Sequence, residues 1–265
     1  MILYNYMDVT RYISDCIQNK IPIAFLKYGD GEYSAAKGHK GHNCDNDKYT
    51  DKLRNGLIDS FKFMVDERIN TMIGQWHNEE PEFFWNSLVK KKPNYVNYHT
   101  FILDHEYLEE KAAIFKSIKQ SPLKKIYICN PLMVRAKILL NIDHMIHVPF
   151  NNWFDDSFDN ILASILDVIT PGEQFILLTS AGMGAKVLIA EVSKRYPNSI
   201  YLDIGSALDK ICTKKSSRGW EPQYHYLMFD LRDIIPPNWE SSEYQSVFEE
   251  AREKIGKHGN WTNDE

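Results

Sequence analysis

Residues 174–204 read QFILLTSAGMGAKVLIAEVSKRYPNSIYLDI. Gln174 to Thr179 is an apolar run of strand length, followed by a turn that holds Gly182 and Gly184. Gly184 to Arg195 then carries helical spacing, and Ile200 to Ile204 is a second apolar run. Strand, glycine turn, helix and strand make a crossover unit that joins two parallel strands in the right-handed sense. The same rhythm extends upstream. Lys125 to Cys129 reads as a strand, Leu132 to Leu140 as a helix and Met145 to Val148 as a strand. Phe158, Ile161, Leu162, Ile165, Leu166 and Ile169 form one helix face before the Pro171-Gly172 turn.

The first half is similar in kind. Val9, Tyr12, Ile13, Cys16 and Ile17 make an amphipathic stripe, and Ile21 to Tyr28 is a buried-strand run broken by Gly29 and Gly31. A short helix is expected over Tyr33 to Lys37, closed by Gly38, and a long one through Tyr49, Leu53, Leu57, Phe61 and Met64. Thr71 to Gly74 is a strand, Glu80-Pro81 opens a helix, Asn94 to Tyr98 is a strand, and Asp104 caps a helix running to Ile118. The fold class is therefore α/β, a mostly parallel sheet with helices on both faces.

The chain has 265 residues, 43% hydrophobic and 25% charged, the ordinary globular range. Its formal net charge of −5 provides no basic field for nucleic acid, so an anionic substrate needs local cations, backbone amides or a metal. No signal-peptide pattern opens the sequence, and no apolar run approaches the ~18 residues of a membrane span. Cys16, Cys44, Cys129 and Cys212 are far apart, as expected of reduced thiols in a cytoplasmic protein.

Two strand ends carry chemistry. In Lys27-Tyr-Gly-Asp-Gly-Glu32, two carboxylates flank a glycine directly after a strand. Residues two apart in extended geometry point the same way, so Asp30 and Glu32 are candidates to share one Mg²⁺ or Mn²⁺ with substrate phosphates. The plain alternative is an Asp-Gly turn with solvated acids. In the second half, Ser180, Gly182 and Gly184 lie where backbone amides at a helix N-terminus can meet a phosphate, and Asp203 follows at the spacing of a ribose-binding acid. Tight packing explains such glycines equally well. His39, His42, Cys44 and Asp45 lack a second ligand pair for zinc and are read as a polar loop, a lid over the adjacent site. Trp76, Trp85 and Trp153 are either core or platforms for sugar rings.

Phe25-Leu-Lys-Tyr-Gly-Asp-Gly-Glu32 resembles the F-x-R-Y-G-D-G-E signature of the GT-D type glycosyltransferases. Pro149-Phe-Asn-Asn-Trp-Phe154, Ala181 to Leu188, and Tyr201-Leu-Asp-Ile-Gly205 with Asp209 resemble, in order, that family's P-x-x-N-A-F/W, G-P-T-A-T-V-L and Q-A-I-D-I-G-H-x-D stretches. The sequence departs from the pattern at Lys27 for Arg, at Ser206 for His, and at Gly182-Met-Gly for Gly-Pro-Thr.

The resemblance implies a Rossmann-like fold in which Asp30 and Glu32 bind a divalent metal (Mn²⁺ or Mg²⁺) and the diphosphate of a nucleotide-sugar, expected to be UDP-linked. Lys27, Tyr28, Gly29 and Gly31 would lie on that diphosphate, and Ser180, Gly182, Gly184 and Asp203 on the nucleotide, with Asp203 binding ribose or supporting the loop. The sugar would pass to a glycan or glycoconjugate acceptor. For the acceptor's general base the candidates are His77, Glu79, Glu80, Asp155, Asp156 and Asp209, with Asp156 and Asp209 preferred because they fall near family-like segments. Residues 1–218 form the expected core, and 219–265 an extension packed on it, with a strand over Tyr224 to Leu231 and a frayed end. A Rossmann-like methyltransferase or dinucleotide enzyme is the rival class, and a non-catalytic nucleotide-sugar binding protein the third.

Overall fold

A computed structural model describes residues 6–43, 46–68, 70–76, 78–103, 108–149, 152–214, 223–241, 244–246, 249–250 and 253. Among the described residues seven strands form one sheet: β1 (Ala24–Lys27), β2 (Thr71–Gln75), β3 (Tyr95–Asn97), β4 (Lys124–Cys129), β5 (His144–His147), β6 (Phe175–Ser180) and β7 (Ile200–Asp203). Their order is β3-β2-β1-β7-β6-β4-β5, and every neighbouring pair is parallel. Parallel strands need crossovers, which cover both faces and make the central strands continuous apolar runs, as in Phe25-Leu26 and Ile176-Leu177-Leu178.

One face carries α3 (Asp51–Lys62), α4 (Glu79–Ser87), α7 (Trp153–Val168) and α8 (Gly184–Arg195), packed through Leu57, Trp85, Ile165 and Leu188. The other carries α1 (Tyr6–Gln18), α5 (Leu108–Gln120), α6 (Ala136–Leu140), α9 (Asp209–Thr213) and α10 (Tyr224–Asp230), packed through Ile13, Phe115, Leu139, Ile211 and Leu227. The chain leaves β1 and β6 towards the first face, and leaves β7 and β4 towards the second. Connections that diverge in this way open a crevice at the carboxyl ends of the strands, where sheets of this kind bind ligands.

Three local expectations change. Asp30 is not in an extended segment but begins a helix, α2 (Asp30–Lys37). Residues 132–140 divide into a 3₁₀ segment, Pro131–Arg135, followed by α6. Tyr224 to Leu231, expected as a strand, is the helix α10 and the turn that follows it. Leu227, Leu231 and Ile234 recur at helical spacing on its buried side, while Tyr226 and Phe229 face solvent. Trp239 is buried beyond α10, its ring 4.0 Å from the buried Arg135 guanidinium, whose Nη2 donates to the Trp239 carbonyl. The expected cap at Asp104 and the frayed end over 258–265 lie outside the described residues.

Cys16, Cys129 and Cys212 are free and buried, and burial pushes all three thiols above the ordinary cysteine value. Reaction with an aromatic disulfide reagent at pH 8, followed by peptide mass spectrometry, is expected to leave these three unlabelled in the native protein and to label them fully in urea.

Candidate functional site

Gly29 is the extended N-cap of α2, and Glu32, the third residue of the helix, reaches back so that its Oε2 accepts from the Gly29 N–H at 2.9 Å. That bond is half of a capping box. It settles where Asp30 and Glu32 point, because residues two apart on a helix diverge. Asp30 is exposed, and its side chain takes no hydrogen bond among the described residues. Glu32 is buried, and its Oε1 lies 2.7 Å from Lys186 Nζ.

Lys186 extends from the first turn of α8 and is only 3% exposed. Its ammonium also lies 3.0 Å from Asp203 Oδ2 and donates to the Gly182 carbonyl at 3.1 Å. Burial alone would drive a lysine towards neutrality, but Asp203 and Glu32 outweigh it and hold Lys186 above the ordinary value. Asp203, at the end of β7 and 1% exposed, accepts from the Lys27 N–H at 3.1 Å and faces the Thr179 hydroxyl at 3.5 Å. One buried cation thus ties the start of α2, the ends of β1 and β7, and the loop before α8.

Lys27 is buried at the end of β1, its ammonium 4.9 Å from the centre of the Tyr98 ring. It also fills the space beside Gly205, where φ is +54° and an added Cβ would lie 1.9 Å from Nζ. Tyr28 turns to the opposite side of the sheet, packed among Phe61 and Trp85 with its hydroxyl on Ser60, which makes it a core residue. The Ser180 hydroxyl is committed to the protein as well, receiving the Tyr127 hydroxyl and donating to the Gly205 carbonyl.

The two loop glycines have packing reasons of their own. A Cβ on Gly184 would meet Trp153 at 2.7 Å, and Gly182 has φ +61°. Two described residues cover this flank: Asn43 lies against Gly31 and Asp47 against Gly182, while Asp47 Oδ1 accepts from the Asn152 N–H at 2.8 Å. His39 and His42 are exposed there, and Cys44 and Asp45 lie outside the described residues. Gly31 is different. It has no positive φ, and a Cβ would make only ordinary contacts at 3.6 Å. Nothing among the described residues requires a glycine at that position.

The base candidates scatter. Asp156 is exposed on the first turn of α7, Asp155 accepts from Thr50 at 3.0 Å, and Glu80 accepts from Tyr33 at 2.6 Å, which pushes that phenol up to about 12. Asp209 is buried at the start of α9, within electrostatic reach of Cys129 and Cys212. Glu79 is exposed, and His77 lies outside the described residues. Trp85 and Trp153 are buried, whereas Trp76 is 42% exposed. Among the described residues no three His, Cys, Asp or Glu side chains converge as a metal cage, and no helix is long and apolar enough to cross a membrane.

Sequence reasoning missed Lys186. The available signal was a lysine inside Gly184 to Ala190, where every other residue is small or apolar. A charge on a helix buried all round needs a counter-charge.

No sequence-family profile matches this chain, and no curated protein does. Solved structures do. Two are structures of domain of unknown function 1792, one of them selenomethionine-substituted and the other described as having a distinct glycosyltransferase fold. Each is 18% identical, with TM-scores of 0.54 and 0.53, over 92% of this chain and 93% of the other. A third, described as a new glycosyltransferase of that domain from Streptococcus sanguinis, is 14% identical with a TM-score of 0.52, over 88% and 95%. At this level of identity the likeness shows a shared fold, the one expected of a GT-D-like chain.

Removing the Lys186 charge leaves two buried carboxylates side by side. Lys186→Met is expected to cost about 3–5 kcal/mol in urea denaturation. Much of that loss should be recovered in the triple variant Glu32→Gln, Lys186→Met, Asp203→Asn, where none of the three charges of this cluster remains.

Proposed function

We propose that this protein is a glycosyltransferase that takes a nucleotide-diphosphate sugar, UDP-linked, and passes the sugar to a glycan or glycoconjugate acceptor. The observation that carries the reading is the Asp30-Gly31 corner. An exposed carboxylate and a glycine with room beside it stand just beyond the carboxyl end of β1, which closes on the buried Lys27. The shared fold of the glycosyltransferase structures supports it.

Transfer breaks the bond between the anomeric carbon and a phosphate oxygen, so negative charge grows on the departing diphosphate. A divalent cation, Mn²⁺ or Mg²⁺, neutralises such charge when bound. The donor set fits an ion shared with phosphate oxygens and water, which commonly takes only one or two protein carboxylates. Asp30 would hold it. Glu32 contributes at one remove: its two oxygens are engaged by Lys186 and the Gly29 amide, so it fixes the turn that presents Asp30.

Lys27 serves as a fixed positive charge beneath the rim, and Asp203 supports it by accepting its backbone N–H. A preset charge in a poorly solvated place costs no reorganisation as the leaving group develops. The amides near Gly182 at the start of α8 are suited to the nucleotide phosphates. Among the acids expected to activate the acceptor, Asp156 has the exposure a general base needs and Asp209 is buried. The cytoplasmic setting belongs to the same proposal and rests on the separated cysteines.

The rival dinucleotide reading relied on Asp203 meeting a ribose, and that carboxylate is instead spent on Lys186 and Lys27.

A thermal-shift series with UDP, with and without Mn²⁺, tests the proposal. At 100 times Kd, ligand linkage is worth about 2.7 kcal/mol, which is several degrees in Tm. The metal-dependent part of that shift should vanish in Asp30→Ala, whose own stability changes by under about 1 kcal/mol because the residue is an exposed helix-start acid. A UDP shift indifferent to Mn²⁺ in the wild type, or unchanged in Asp30→Ala, defeats the reading. Gly31→Ala separates ligand from fold. Alanine in place of a helical glycine is expected to leave stability unchanged or raise it by about 0.5–1 kcal/mol, while nucleotide affinity falls at least tenfold.

A further inference from the structure

The rim around Asp30 has two unlike flanks. On the β6–β7 side lie the glycine loop, the start of α8 and the covering Asn43 and Asp47. On the β2–β3 side lies an aromatic stack. Trp76 directly follows β2 and Tyr98 directly follows β3, and their rings stack with centroids 4.4 Å apart at 20°. His99 meets the indole edge-on at 4.5 Å. The backbone beneath is fixed by the Trp76 N–H donating to Gln75 Oε1 at 2.9 Å.

The stack presses on the acidic motif. A Cβ on Gly29 would come within 2.9 Å of the Tyr98 ring and 3.3 Å of Trp76 Nε1, so only a glycine lets the two meet there. Tyr98 also carries the Lys27 ammonium at 4.9 Å. A contiguous series therefore runs from Gly205 through Lys27 and Tyr98 to Trp76, and the indole edge lies one residue from Asp30. One indole face is spent on Tyr98, yet 42% of the residue is open to solvent. Burying the rest would be favourable in water, so the exposed surface is suited to a ligand with an apolar face.

We infer that Trp76 is the stacking platform for the acceptor's sugar ring. The inference rests on the transferase reading above and adds to it the place of the second substrate. A pyranose presents a face of C–H groups that packs on an indole while its hydroxyls stay in water. An indole stacked on Tyr98 and still 42% exposed suits such a ring, whereas a base is more often held in a slot that also reads its polar edge. The position agrees. The departing nucleotide and the incoming hydroxyl need separate approaches to the anomeric carbon, and the phosphate-suited flank lies on the other side of Asp30.

The test uses the full chain with methyl β-glycosides of glucose, galactose and N-acetylglucosamine as probes, observed by saturation-transfer NMR with UDP and Mn²⁺ present. At least one glycoside should receive saturation on its C–H face from the wild type. The signal should fall at least fivefold in Trp76→Ala and be partly kept in Trp76→Phe, while the UDP thermal shift stays within twofold in apparent affinity. Circular dichroism melts of both variants confirm folding. Three results overturn the inference: no glycoside receives saturation from the wild type, the signal survives Trp76→Ala, or the loss falls on the uracil H5 and H6 protons, which would make this a base platform. Failure of the transferase reading looks different, since UDP and Mn²⁺ then give no shift while a Trp76-dependent glycoside signal persists.

Discussion

The Lys186 ammonium pairs with Glu32 and Asp203 and donates to the Gly182 carbonyl, and these groups come from α2, the end of β7 and the loop before α8. Each charge in this cluster would be costly alone in the interior. Together they hold because each charge lies within 3.0 Å of an opposite one, whereas loss of one partner strands the others. The rest of the rim depends on this arrangement. Glu32, once held, caps Gly29 and starts α2 at Asp30; Asp203, once held, accepts the Lys27 N–H and sets the end of β1. The acid that faces solvent is thus oriented by the acid that does not.

This division explains why a short motif holds residues of such different character. Tyr28 fills the core under α3 and α4, and Gly29 yields space to Tyr98 and Trp76. Asp30 is free, Gly31 leaves room, and Glu32 is structural. Alternation along β1 sends Lys27 and Tyr28 to opposite faces, and the helix start then turns Asp30 and Glu32 apart. A charge count of the segment would treat the two acids as equals. Their surroundings make one a ligand candidate and the other a brace.

Most of the sheet was legible in sequence, because buried parallel strands are apolar runs and the covering helices have apolar stripes. Both signals are local. The ends of β1 and β6 were legible to within one residue, since glycines punctuate them. The reading failed where the deciding contact is remote or the local signal was misweighed. Nothing near Glu32 announces a partner about 150 residues away, and Asp209 reads as a candidate base until α9 packs against the 3₁₀ segment Pro131–Arg135 and buries it. The helix start at Asp30 had a local sign, Glu32 at the third helical position, but the glycines on either side suggested a turn instead. In Tyr224 to Leu231 the aromatic composition favoured a strand, and the spacing of Leu227, Leu231 and Ile234 outweighed it.

The order of the strands also leaves two outer margins, β3 and β5. An unpaired margin invites a strand from another molecule to dock, and proteins counter this by keeping such strands brief and polar. Here β3 is three residues long, and β5 is four residues that begin and end in histidine. All the long apolar strands, those most prone to adhere to one another, are shut inside. The geometry that gathers the reactive groups along one rim therefore also discourages the sheet from growing sideways into aggregates.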